Sequence, residues 1–509
     1  KLNLGLVYYS QARYPEAIRV LGDVIQIRPI LTSALLFQGT SYYQLNRHAE
    51  AVPLLEKYLS LEPRSDEVRP FLAAAYYGLK DYPNAALQYL AQIKLDAGKA
   101  ELYFQLGETY ASLAGVLIDA LEDQARQGPA DTRYYSLLLG VQQSLDQEDF
   151  SIAEDRLREA MALDPKNGEG RLAHGYLLLA RGDPSAARAV FEDILTESPA
   201  HCRALQGLAN AELSLGNQEP AAAAIETLSG IWPACLTYTV GRSLEEEPAD
   251  FTAGGDAVAA CRQAVSARSF AQDAASGVER TIVMASCLER RGAIPAATAT
   301  LLTVLDGGPR SRYLASQILL RLAEKAYKRL ARLAPASPFV SRLRAQELER
   351  QGNLDAADAE FLKAVSQSGS DIDALVVYAQ FKARIGRLSE AAPILEQVLR
   401  RSPVHPRANA MLGDVYLASG EIPKAVAVLR RAVEANPSGE AIRRNLAIAL
   451  ERDGRLEEAI QVLEDAPADS DGRIHFSLGN YYRRIGAREK AIEALKVYQE
   501  RRKHAPAIP

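Results

Sequence analysis

Apolar residues recur along this chain three and four positions apart, in short helical runs broken by tight turns. Residues 406–439 carry one full period. Leu412, Gly413 and Tyr416 lie on one predicted helix, and Gly420 marks a turn. Ala425, Leu429 and Ala432 follow at i, i+4 and i+7 on a second helix before Pro437 ends it. Gly413 and Ala425 are small where two helix backbones must approach closely. The order returns in 32–65 with Gly39, Tyr42, Ala51, Leu55, Tyr58 and Pro63, and in 168–201 with Gly175, Ala187, Phe191 and Pro199. The period is 34 residues: it separates Tyr8, Tyr42, Tyr76 and Tyr110, then Pro165, Pro199 and Pro233, then Pro403 and Pro437. One helix pair cannot bury its own apolar stripe, so each unit must stack on the next, which predicts an all-α open solenoid.

These residues resemble the tetratricopeptide repeat (TPR) family: a Leu-Gly pair, an aromatic three residues on, small residues in the second helix and a closing Pro. Units of this kind fall near 1–31, 32–65, 66–99, 134–167, 168–201, 202–235, 278–311, 338–371, 372–405, 406–439, 440–471 and 472–506. The resemblance implies a right-handed superhelix of antiparallel helix pairs whose first helices line a concave groove. It implies a scaffold, with no particular partner. The first unit starts inside its own first helix, so the array is expected to extend upstream or to have been trimmed.

Two units depart from the pattern. In 100–133, Tyr103, Leu106, Gly107 and Tyr110 begin normally, but Ala114, Ile118 and Leu121 follow too soon for a turn. Ala323, Tyr327 and Leu330 repeat the contraction near 312–337, so Thr109–Ala125 and Gln317–Ala334 are expected as longer, nearly unbroken helices. Between them, Glu245–Glu247, Pro248, Gly254 and Gly255 interrupt the helical period. The expected organisation is an N-terminal array over 1–235, a hinge or degenerate repeat over 236–277 and a C-terminal array over 278–509. The matched contractions suggest a large internal duplication.

Composition narrows the function classes. The chain has 509 residues, 48% hydrophobic and 24% charged, enough apolar material to fold. Its net charge of −5 is the wrong sign for a general nucleic-acid binder. No run of about 18 uncharged apolar residues predicts a membrane span. Charge is uneven, with a net of +2 over 1–100, −15 over 101–250 and +8 over 251–509. Such stretches either reflect drift of solvated helix faces or attract one another, within the array or between copies.

In the resembling family the second, fifth, ninth, twelfth and thirteenth residues of each repeat tend to face inward. The twelfth positions of the first three units are Tyr9, Tyr43 and Tyr77. These rings either pack between neighbouring helices or form a stacking surface for an extended peptide or glycan. Toward the C-terminus, inward positions hold Arg407, Asp414, Arg444, Arg473, Asn480, Arg483 and Arg484, with Asn409 and Asn445 nearby. Guanidinium and amide groups suit an acidic segment of a protein or peptide partner. The Lys, Asn, Asn, Lys, Arg arrangement of the family's chaperone-tail clamp is absent.

No phosphate loop, dinucleotide turn, zinc helix or nucleophile elbow occurs, so neither catalysis nor a cofactor or metal is expected. His201 beside Cys202 lacks further ligands at zinc-like spacing. Cys202, Cys235, Cys261 and Cys287 contain no CxxC. They read as small core residues or, in an exported protein, as disulfide partners such as Cys261 with Cys287. Ala and Arg richness points to a bacterial source, in the cytoplasm or, after removal of an export signal, the periplasm or the exterior. The expected function is a noncatalytic protein-interaction scaffold with a partner in the concave groove. The alternative is a structural component that self-assembles end to end into an oligomer or filament.

Overall fold

The computed structural model describes residues 1–126, 128–147, 149–199, 201–231, 261, 277–437, 439–466, 469 and 472–504. Among the described residues the regular structure is helical, an all-α solenoid built of stacked helix pairs. The pair predicted for 406–439 is formed by Pro406–Ala418 and Ile422–Ala435, and that of 32–65 by Thr32–Gln44 and His48–Leu61. The pair of 168–201 is formed by Gly168–Ala180 and Pro184–Glu197.

The turn within a pair needs one residue in the left-handed region, because that geometry satisfies the last carbonyls of the first helix and reverses the chain. Gly420 fills it at φ 78°, and the equivalent places in the first three units are held by Ala12, Asn46 and Lys80 at φ 55°, 55° and 62°. The small residue ahead of that turn sets the spacing between the helices. A methyl group on Gly39 would stand 2.6 Å from Leu55 Cδ2, and one on Gly413 2.4 Å from Leu429 Cγ, sixteen residues later in both cases. Several first helices are started by side chains accepting from backbone N–H groups. Asn167 serves Glu169, and the Nδ1 atoms of His201 and His405 serve Ala204 and Ala408.

The helices fall into two compact units, Lys1–Asp81 with Ala334–Ile508, and Tyr82–Leu333. In the first, the C-terminal segment carries a continuous core from Ala345 to Ala494 through Phe361, Phe381, Leu395, Leu412, Leu429 and Leu450. Polar rungs tie neighbouring helices together. Arg384 pairs with Glu349 at 2.7 Å, and Lys382, buried, bonds Asp358 and Glu390 at 2.7 and 2.5 Å.

In the second unit both contracted repeats form the long helices expected of them, Ala100–Ala125 and Pro309–Leu333. They pack together, antiparallel. Arg312 donates to Gln124 at 2.7 Å at one end, and the Tyr327 hydroxyl donates to Glu108 at 2.8 Å toward the other. Leu113, Ala114, Leu117 and Leu121 of one, and Ile318, Leu322, Ala323 and Leu330 of the other, are buried. A methyl group on Gly107 would stand 2.3 Å from Cε1 of Tyr327. Tyr327 therefore occupies the place that a residue sixteen positions on fills in a regular unit.

The hinge expected at 236–277 lies outside the described residues except for Cys261 and Gly277, and division of the array there remains a proposal. Cys261 is bonded to Cys287, their Cα atoms 5.9 Å apart, and both are fully buried. The pairing is the one the sequence offered for an exported chain. His201 is a helix cap.

Candidate functional site

Parallel first helices one repeat apart set side chains of equal position beside each other. Within the second unit, Ala130–Asp146, Gly168–Ala180 and Cys202–Ser214 are three such helices. Glu169 and Arg203, each second in its repeat, meet at 3.1 Å. The Tyr176 hydroxyl donates to the Arg203 carbonyl at 2.9 Å, and the guanidinium lies 6.0 Å from the centre of the Tyr176 ring.

These helices line a half-open cavity of about 520 Å³, within the range of sites that hold small ligands. Its walls differ in chemistry. Leu138, Val141, Leu145, Ala173, Leu179 and Ala180 supply an apolar side from the first two helices. Arg203, Gln206, Asn210 and Ser214 supply a polar side from one face of the third. Another wall comes from outside the row: Tyr313 of helix Pro309–Leu333 lines the cavity, its ring 5.6 Å from that of Tyr135. Burial pushes the Tyr313 hydroxyl up to about 12, Glu169 raising it further and Arg203 opposing. It therefore keeps its proton at ordinary pH. Glu169 and Arg203 compensate each other, so the cavity is nearly neutral within a strongly acidic stretch of sequence.

The positions expected at the N-terminus are half-buried. Tyr9 packs its ring edge-on to Phe37 at 4.9 Å and Tyr43 does the same to Phe71 at 5.5 Å, each reaching the next unit. Tyr77 is half-buried as well. In the C-terminal segment most of the expected groups engage partners within the protein. Arg407 donates to Gln380, Asn445 to Asp414, Arg483 to Asn480 on its own helix, and Arg484 pairs with Glu451. Crowding by the neighbouring helices raises the Asp414 carboxyl, which the Asn445 bond partly offsets. Arg473 is exposed and Arg444 half-buried. Asn409 is a correction. It is fully buried, with Nδ2 donating to the carbonyls of Pro403 and His405 at 2.9 and 3.0 Å, so it holds the loop before its helix and offers no surface to a partner.

The central cavity was missed from sequence, although the inward-position rule picks out its residues. Glu169, Tyr176, Leu179 and Ala180 are second, ninth, twelfth and thirteenth in 168–201, and Arg203, Gln206, Asn210 and Ser214 are second, fifth, ninth and thirteenth in 202–235. They have no aromatic ladder or cationic cluster to draw notice. Nothing local in the sequence announces Tyr313.

Fold and site together define a helical-repeat protein with a groove built from the first helix of each pair. Family models described as "Tetratricopeptide repeat" match residues 1–28, 36–100, 143–201, 178–231, 382–440 and 411–473. The chain belongs to the tetratricopeptide repeat family. It is 40% identical over 87 residues to the TPR repeat-containing thioredoxin TTL4 of Arabidopsis thaliana, a match spanning 17% of this chain and 13% of that protein. Similar solved structures include MamA from Desulfovibrio magneticus RS-1, at 22% identity over 33% of this chain and 97% of that one, TM-score 0.31. A MamA structure marked AMB-1 has 23% identity over 33% and 94%, TM-score 0.29. Proteins of the family bind protein partners and are typically noncatalytic. No helix among the described residues is long and apolar enough to cross a membrane.

Proposed function

We propose that this chain is a noncatalytic interaction scaffold that holds a peptide segment of a partner protein in the groove of its first helices, centred on residues 138–214. The cavity carries this reading: it is built from inward repeat positions, has an apolar side for side chains and a polar side for peptide groups, and has the volume of a ligand site. Tyr9, Tyr43 and Tyr77 are further contact surfaces in this reading, and exposed Arg473 and Arg483 favour an acidic portion of the partner. The test is a photo-crosslinking residue at Ala180, an exposed position on the cavity wall, in the intact chain incubated with extract of its source organism. A partner crosslinked there and absent with the same group at Glu192 supports the reading; equal labelling at both positions refutes it.

A second reading, self-association, is favoured by apolar side chains left in solvent: Leu4 and Val7 at 47% exposure and Ile492 at 69%. Sedimentation that grows with concentration without a partner supports it, and a monomer at every concentration removes it.

A further inference from the structure

The cavity has two features that an open peptide groove lacks. Gln206 and Tyr313 line it with only 6% and 7% of their surface exposed. Among the described residues neither the Gln206 amide nor the Tyr313 hydroxyl has a hydrogen-bond partner. Their polar atoms stay open to the cavity, two groups facing one space from helices about a hundred residues apart in sequence, where a ligand's polar groups can meet them.

The second feature is that the groove stops. Tyr313 stands against Tyr135 on the first of the three helices, and its own helix packs beside Ala100–Ala125. The inward positions of the preceding unit are taken as well: Phe104 and Glu108, fifth and ninth in 100–133, lie against the ring and hydroxyl of Tyr327. A chain lying in the groove cannot continue past Tyr313, because the protein's own helix is there.

We infer that the cavity takes the free end of an uncharged, aliphatic peptide segment, entering end-first with its last peptide groups bonded to Gln206 and Tyr313. The inference rests on the peptide-binding reading above and adds how the peptide enters and its chemistry. The Glu169–Arg203 pair can turn one member to a single terminal charge, Glu169 to an ammonium or Arg203 to a carboxylate, and leaves no further charge for charged side chains to meet. The aliphatic character follows from Leu138, Leu145 and Leu179 on the facing wall. An amide and a protonated hydroxyl can each donate and accept, as peptide N–H and C=O groups require.

The experiment uses the intact chain and pools of octapeptides with randomised Ala, Ser, Asn, Val, Ile and Leu, tethered by the N-terminus, tethered by the C-terminus, or cyclised head to tail. Binding is expected in one tether orientation only, about tenfold over the other two pools. Gln206→Leu and Tyr313→Phe, both close in shape to the originals, should each weaken it about fivefold with unchanged helicity. Equal binding in both orientations, or of the cyclised pool, overturns end-first entry and leaves the peptide-binding reading standing. Binding unmoved by both substitutions overturns the assigned site. Failure of every pool to bind overturns this inference together with the reading beneath it. A pool doped with Asp and Glu that binds tenfold better overturns the uncharged character.

Discussion

Replacing Gly107 by Ala interrogates the contact on which the second unit turns. In a helix interior Ala is favoured over Gly by about 1 kcal/mol, so the change would stabilise an isolated helix. Here the new methyl would sit 2.3 Å from Cε1 and 2.7 Å from Cδ1 of Tyr327. That ring is anchored by its bond to Glu108 at 2.8 Å and is not a side-chain end free to swing aside. Overpacking of this kind costs about 1–3 kcal/mol, so the net effect is a loss of about 1 kcal/mol. In a Tyr327→Ala background the obstruction is gone and the same substitution should gain about 1 kcal/mol, a coupling of about 2 kcal/mol between residues that interact directly. A chain of many repeats does not unfold in two states. The assay is therefore amide hydrogen exchange over residues 103–117, which reads local opening free energy. If Gly107→Ala changes protection by the same sign and amount in both backgrounds, the two long helices are not packed as described.

Other consequences are simpler. Lys80 pays for a left-handed turn at φ 62°, so Lys80→Gly should stabilise the first unit by about 0.5 kcal/mol, read as slower exchange in the flanking helices. Burial alone would lower the Lys382 ammonium, but its bonds to Asp358 and Glu390 hold it above the usual lysine value. Lys382→Met leaves Glu390 without this partner and Asp358 with Arg387 at 3.6 Å, and should cost about 2 kcal/mol, read as faster amide exchange over residues 372–401. Asp469, buried, accepts from the backbone N–H groups of Ile474 and His475 at 3.0 and 3.1 Å and pairs with the His475 ring; burial raises its carboxyl, but these bonds outweigh it and hold it low. A carboxyl held low stabilises the fold above its unfolded value and loses that contribution as pH falls through the folded one. The advantage of wild type over Asp469→Asn should be full at pH 7 and shrink below about pH 4 in paired denaturation curves.

How much of this was readable in advance depends on sequence separation. Gly39 facing Leu55 and Gly413 facing Leu429 are contacts sixteen residues apart, inside one period, so a repeat of 34 residues encodes them directly. The turn at Gly420 and the missing turn after Tyr110 were equally visible, because a helix breaks where its residues allow the break. The cavity residues stood at predictable positions, yet ranking by conspicuous chemistry favoured arginines that the fold largely engages with its own polar side chains, and Asn409, which it buries.

Sequence alone determined the helix pairs, their period, the two helices that run on without a turn and the family. The three-dimensional structure decided that those two helices lie side by side, that Tyr327 fills the space over Gly107, and that Tyr313 closes a groove lined by Gln206. A periodic pattern specifies what each residue meets within its own unit and the next, since those distances are fixed by the repeat. It holds no information about which segment two hundred residues away has an apolar face left to bury, and only the completed packing selects that partner.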